Sequence, residues 1–193
     1  MKKALFVDGS FFTNENSYTT ALMNEFHEIM EKPERINLSD SVFNKTHLSQ
    51  TNISTYWNEV GAVELINKLK EIDVLVLSST VVNYTTPTLV KNFIDAIAVA
   101  DLTFSYKQSK DGNPVGLLNN LNVVLVTSQG SPQTENTESL QVQWLRSVFK
   151  FVGAKSINFI QVNGTKVPPL ANGDTKAYAK TRADEFKKLI ESF

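Results

Sequence analysis

Three polar segments carry the residue types that can grip a ligand, and each directly follows an apolar run. The first, Asp8-Gly9-Ser10-Phe11-Phe12-Thr13-Asn14-Glu15-Asn16-Ser17-Tyr18-Thr19, precedes a helical pattern. The free amides and dipole of that helix start favour a phosphate, and Ser10, Ser17 and Thr19 can add donors without a lysine. Taken alone, the segment also reads as an ordinary N-cap in a polar loop. The second, Thr80-Val81-Val82-Asn83-Tyr84-Thr85-Thr86-Pro87, offers apolar groups, an amide and an aromatic ring that suit the edge of a flat heterocycle. A surface connection continuing the core explains it equally well. In the third, Thr127-Ser128-Gln129-Gly130-Ser131-Pro132, Gly130 allows close approach of a ligand, or simply a flexible strand-to-helix turn.

Other chemistries lack their residues. The chain has no cysteine, which excludes disulfides, thiolate metal sites and a thiol nucleophile. Of the two histidines, His27 lies on a helical pattern beside acidic residues and His47 in a polar stretch. Neither has metal-ligand spacing, and solvent exposure is expected for both. No side chain is assigned a catalytic role and no metal site is expected, so a redox role would need a bound cofactor.

Parallel strands and covering helices would have to position these segments. The runs Ala4-Leu5-Phe6-Val7, Val74-Leu75-Val76-Leu77 and Val123-Val124-Leu125-Val126 are apolar without alternation, as in strands covered on both faces. Ile157-Asn158-Phe159-Ile160 gives a fourth strand, and Arg35-Ile36-Asn37-Leu38 a weaker one. Helical faces are marked by Leu22, Phe26, Ile29 and Met30, by Ala62, Leu65, Ile66 and Leu69, and by Val90, Phe93, Ile94 and Ile97. Two more follow, one with Leu140, Trp144, Val148 and Phe151, the other with Ala179, Ala183, Phe186, Ile190 and Phe193.

Punctuation fits these boundaries. Thr86-Pro87 reads as an N-cap and first helical residue, and Gly153 as the left-handed residue after a helix ending at Val152. Asp111-Gly112, Asn163-Gly164 and Asn172-Gly173 mark turns, and Pro168-Pro169 breaks structure before the last helix. The mixed charges from Lys176 through Arg182 to Lys188 read as that helix's wet face. Alternating strands and helices predict one α/β domain over 1–193, with helices on both faces of a five-stranded parallel sheet of order 2-1-3-4-5. No G-x-G-x-x-G follows the first strand, and Walker A is absent. Such sheets bind ligands beyond their carboxyl ends where strand order reverses, and there the three polar segments should converge.

The run Val81-Val82-Asn83-Tyr84, followed by Leu89-Val90-Lys91-Asn92-Phe93-Ile94-Asp95 and Thr103-Phe104-Ser105-Tyr106, resembles the FMN-dependent NADH-azoreductase family, related to flavodoxin-like quinone reductases. The resemblance runs along nearly the whole chain. It implies a flavodoxin-like three-layer fold with FMN near the interface of a homodimer. By that resemblance Ser10, Ser17, Tyr18 and Thr19 hold the phosphate, while Val81, Val82, Asn83, Tyr84, Ser128, Gln129, Gly130 and Ser131 border the isoalloxazine. The family loops usually read Met-Tyr-Asn-Phe and Ser-Arg-Gly-Gly, so Val81, Val82 and Gln129 are departures. The long Leu102–Leu118 connection suits a lid or dimer element, with Phe104 and Tyr106 either walling an acceptor pocket or anchoring the loop. Phe151 lies near the flavin by resemblance, while its helical spacing equally suits the core.

The implied activity transfers electrons from NADH or NADPH through bound FMN to quinones or azo compounds, with ping-pong kinetics. Two alternatives are an electron carrier of the flavodoxin type, without a small-molecule pocket, and an acyl-carrier-protein phosphodiesterase, for which no metal or nucleophile constellation is present. With 19 basic and 20 acidic residues, no broad basic surface is available for nucleic acid or anionic membranes. Asp8 ends the first apolar run too early for a signal peptide, and no apolar stretch approaches the ~20 residues of a bilayer span. A cytoplasmic protein is expected.

Overall fold

The computed structural model describes residues 2–11, 14–133 and 138–193. Its main sheet is built from β1 (Ala4–Asp8), β2 (Glu34–Asn37), β3 (Val74–Thr80), β6 (Asn122–Gln129) and β7 (Ser156–Asn163). All neighbours are parallel and the order is β2-β1-β3-β6-β7, the expected 2-1-3-4-5 when these strands alone are counted. Strand order reverses at β1, which β2 flanks on one side and β3 on the other.

Helices α1 (Tyr18–Ile29), α6 (Thr175–Thr181) and α7 (Ala183–Glu191) cover one face of the sheet. There Phe6, Val76, Val124 and Ile160 meet Leu22, Met23 and Phe26, and Phe26 stacks on Phe186 with ring centroids 4.1 Å apart. Helices α2 (Tyr56–Glu59), α3 (Ala62–Glu71), α4 (Thr88–Ile97) and α5 (Leu140–Phe151) cover the other face, over Leu5, Val7, Leu75, Leu77, Val123 and Leu125. The three central strands are thus buried on both sides, which is why their sequences run apolar without alternation.

Two boundaries, one buried stripe and the exposure of one histidine differ from the sequence reading. Pro87 is itself the N-cap and the helix begins at Thr88, because its φ of -60 is combined with an extended ψ of 150. Helix α5 buries Gln141, Val142, Leu145 and Phe149, whereas Leu140 is 62% exposed and Trp144, Val148 and Phe151 are half-buried. A buried polar residue at 141 disguised the true stripe. The last helix is two, divided at Arg182, whose guanidinium donates to Glu185 and to the Tyr178 hydroxyl instead of facing water. His27 is half-buried, within 2.8 Å of the Pro33 carbonyl oxygen through Nε2 and edge-on to Phe6, while His47 is exposed. Gly153, at φ 85, follows the cap Val152, and its amide and that of Ala154 bond the Lys150 and Phe149 carbonyls, closing the end of α5 as expected.

Two short pieces escaped periodicity altogether. One is α2, a single turn in which buried Tyr56 donates to the Asn92 carbonyl at 3.0 Å. The other is the antiparallel pair β4 (Phe104–Ser105) and β5 (Val115–Gly116), which gives the long connection after α4 a hairpin. No helix among the described residues is long and apolar enough to cross a membrane.

Candidate functional site

At their carboxyl ends the central strands change from hydrocarbon to hydroxyl. After Leu77 come Ser78, Ser79 and Thr80, and after Val126 come Thr127, Ser128 and Gln129, all still within β3 and β6. The hydroxyls tie the strand ends together. Gly9 donates its amide to Ser78 Oγ at 3.1 Å, the Ser10 and Thr80 hydroxyls share a bond of 2.6 Å, and those of Thr19 and Ser128 share one of 2.7 Å. Val81 donates its amide to the Ser128 carbonyl at 2.8 Å, closing the row from β3 to β6.

Above this row lies a crevice of about 750 Å³. The three polar segments do meet there: Ser10, Asn14, Asn16, Ser17 and Tyr18 come from the first, Thr80 and Val81 from the second, and Ser128 and Gly130 from the third. Phe12 and Thr13 of the first segment lie outside the described residues. Ser17 caps α1, its hydroxyl accepting from the Thr20 amide at 3.2 Å. The Tyr18 and Thr19 amides have no acceptor among the described residues, as is usual for the first turn of a helix. A cap and an anion cradle are therefore compatible at this one helix start.

A fourth segment, the loop after β7, completes the wall with Thr165, Lys166, Leu170, Ala171, Asn172 and Gly173. Sequence reasoning treated its Asn-Gly pairs and Pro168-Pro169 as punctuation only. The loop also follows a strand's carboxyl end, and that rule, extended to the fifth strand, would have found it. Its backbone is latched to the end of β6 and the residues just after it, with Gly164 donating to the Gln129 and Ser131 carbonyls and Lys166 to the Gly130 carbonyl at 3.0 Å. The space beside Gly130 is consequently taken by this chain itself: a Cβ there would lie 2.9 Å from Lys166 Cγ.

Tyr18 holds the loop from the other side, its hydroxyl donating to the Leu170 carbonyl at 2.8 Å. Burial, then the neighbouring Tyr178 and Asp174, push its pKa up, so the phenol stays a donor. Gly173 is required by this contact, since a Cβ would fall 2.3 Å from the Tyr18 hydroxyl oxygen.

The remaining sequence candidates lie beside the crevice or away from it. Thr19 is buried beneath it on Ser128. Val82, Asn83 and Tyr84 belong to a tight turn closed by reciprocal Val82 and Thr85 backbone bonds, with φ of 48 at Asn83 and 70 at Tyr84. Neither those three nor Gln129 and Ser131 are among the described lining residues; Gln129 donates its side-chain Nε2 to the Ser131 carbonyl. Phe104, Tyr106 and Phe151 cluster with one another, Phe104 and Phe151 having ring centroids 4.4 Å apart. They do not join the crevice of their own chain, because α5 runs antiparallel to the strands and delivers Phe151 to the amino end of the sheet.

Among the described residues the crevice lining contains no carboxylate and one cation, Lys166. Hydroxyls, amides and a helix start at one side, with a slot between strand ends and loop, fit a phosphate joined to a flat ring. FMN is such a molecule.

The family model of the flavodoxin-like fold matches residues 2–186. An FMN-dependent NADH:quinone oxidoreductase of Mycoplasmopsis synoviae (strain 53) is 36% identical over 184 residues, covering 92% of each chain. Another, from Metamycoplasma arthritidis (strain 158L3-1), is 36% identical over 178 residues, 88% of this chain and 89% of the relative. Among solved structures, an FMN-dependent NADH-azoreductase from Bacillus anthracis in complex with FMN superposes with a TM-score of 0.76 at 19% identity, covering 96% of this chain and 98% of that one, a likeness of fold. The chain thus belongs to the flavodoxin-like fold family, among the FMN-dependent NADH:quinone oxidoreductases.

Proposed function

We propose that this chain is an FMN-dependent oxidoreductase that takes electrons from NADH and delivers them to quinones or azo compounds. The observation that carries this reading is the convergence of three strand ends on one crevice with a helix start and no described carboxylate. Ser10, Ser17, Tyr18 and Thr19 would serve the phosphate, Ser17 and Tyr18 through the first turn of α1. The Val81–Tyr84 turn and the Ser128–Ser131 segment would border the ring, with Val81 and Gly130 at the crevice wall. Bound FMN supplies hydride uptake and electron release, which this chain's side chains do not offer. The protein contributes the slot, the cradle and the exclusion of water.

Donor and acceptor use the same space in turn, so kinetics are ping-pong, and NADPH serves as an alternative donor. The functional unit is a homodimer in the cytoplasm, each chain a single domain over 1–193. Because Phe104, Tyr106 and Phe151 sit at the sheet's amino end, a wall they make for an acceptor belongs to the crevice of the second copy. Tyr106, 60% exposed, is available for that contact.

The test is direct. Purified protein supplied with FMN should show flavin absorption bands and oxidise NADH with menadione or methyl red and no protein partner, giving parallel double-reciprocal lines. A preparation that gains no flavin bands on adding FMN overturns the reading.

A further inference from the structure

Gln141 is wholly enclosed in the first turn of α5. Its Nε2 donates to Ser79 Oγ at 2.9 Å, and Ser79 Oγ shares a 2.8 Å bond with Thr86 Oγ1. Its Oε1 is buried, and no donor among the described residues reaches it. An amide with one end unpaired in the interior disfavours folding, whereas a leucine would fill the same space without that penalty. The neighbours of Gln141 on α5, Val142 and Leu145, are ordinary buried hydrocarbon. Packing therefore does not account for the glutamine.

Its chain of bonds leads to one place, the base of the Val82–Thr85 turn. That turn holds Asn83 and Tyr84 in the left-handed region, where a residue with a side chain is strained, and it stands in solvent with Tyr84 82% exposed. Strained conformations persist only where their surroundings fix them. Two anchors do so here. The Val81 amide on the Ser128 carbonyl holds the entry, and Thr86 on Ser79 and Gln141 holds the exit.

We propose that Gln141 is a positioning residue of the FMN site: through Ser79 and Thr86 it fixes the exit of the 81–86 turn, and so the edge that Val81 and Asn83 present to the ring. This rests on the FMN reading above. The glutamine touches neither cofactor nor substrate and acts only through the turn.

The experiment titrates FMN into flavin-free protein, read by quenching of flavin fluorescence and by the visible spectrum of the bound flavin. Gln141→Leu should keep or raise the melting temperature of the flavin-free protein while weakening FMN by about tenfold, the loss of about one well-placed hydrogen bond. Its bound-flavin bands should shift. Thr86→Val, which cuts the same relay from the half-buried side, should act alike and decides the matter if Gln141→Leu does not fold. The double variant should lose little more than either single one, because both remove one coupling. Variants that bind FMN with wild-type affinity and spectrum overturn the proposal and leave the FMN reading standing. A wild-type protein that binds no FMN overturns both.

Discussion

The Tyr18 hydroxyl donates to the Leu170 carbonyl at 2.8 Å and so joins the first turn of α1 to the loop after β7. A second strap runs parallel to it, from Thr175 Oγ1 to the Glu15 carbonyl at 2.8 Å. Both cross between the amino-terminal cradle and a segment more than 150 residues later, and the partners of the first, Tyr18 and Leu170, line the crevice. Tyr18→Phe keeps the ring against Tyr178 and removes only the first strap. It should cost about 1 kcal/mol of stability and accelerate amide hydrogen exchange in a peptide spanning 164–173. Unchanged exchange there would show that the loop is held by its β6 latches alone.

Ser17 offers a way to separate the cap of α1 from the phosphate cradle, since one hydroxyl is assigned to both. An aspartate caps a helix as well as a serine does and adds a charge that the helix dipole favours. Ser17→Asp should therefore keep or raise the melting temperature of the flavin-free protein. The same charge repels a phosphate at that helix start, and FMN affinity should fall by tenfold or more, about 1.4 kcal/mol. Calorimetry beside flavin titration checks both halves. If affinity survives the aspartate, the phosphate sits elsewhere.

Lys166 takes part in no ion pair among the described residues and is the only charged side chain in the described lining. A cation so placed favours anionic ligands through the crevice, and salt should weaken the effect. Lys166→Gln should raise the FMN dissociation constant, and Lys166→Glu should raise it further, by about 1 kcal/mol for each unit of charge. The dependence of affinity on ionic strength should flatten in the same order. Identical salt dependence in all three proteins would remove Lys166 from the site.

Much of the fold was legible because burial leaves a periodic trace. The three central strands are apolar throughout, and α3 and α4 bury the stripes that spacing identified, so order and layers followed. Legibility failed where one residue broke the trace. Gln141 hid the buried stripe of α5 behind a polar side chain, and Arg182 divided a helix whose apolar spacing continued across the break. The site was half legible for a related reason. Ser10, Ser17, Tyr18, Val81, Ser128 and Gly130 lie at strand carboxyl ends or in the segments that follow them, and topology alone brings them to the crevice. Thr165, Lys166 and Leu170 also follow a strand, but what seats them are bonds to Gln129, Gly130 and the Tyr18 phenol. Position after the fifth strand points to the loop, yet such long-range pairing leaves no local trace of which of its residues line the crevice.

Tyr56 ties the fold to alkaline pH. Its hydroxyl donates to the Asn92 carbonyl in the core beside α4, and burial, with Asp95 adding to it, pushes its pKa up to about 12 from an ordinary 10.0. Below pH 10 the phenol is protonated in folded and unfolded chains alike, and its contribution to stability is fully present. Between about pH 10 and 12 the unfolded chain ionises first and gains free energy that the folded chain cannot, so stability falls. Tyr56→Phe has no such group. It should lose about 1 kcal/mol at neutral pH with the hydrogen bond, yet decline less steeply above pH 10, so that the two urea-unfolding profiles converge. Profiles that stay parallel from pH 8 to pH 11 would show that the Tyr56 phenol ionises as readily in the folded chain as in the unfolded one.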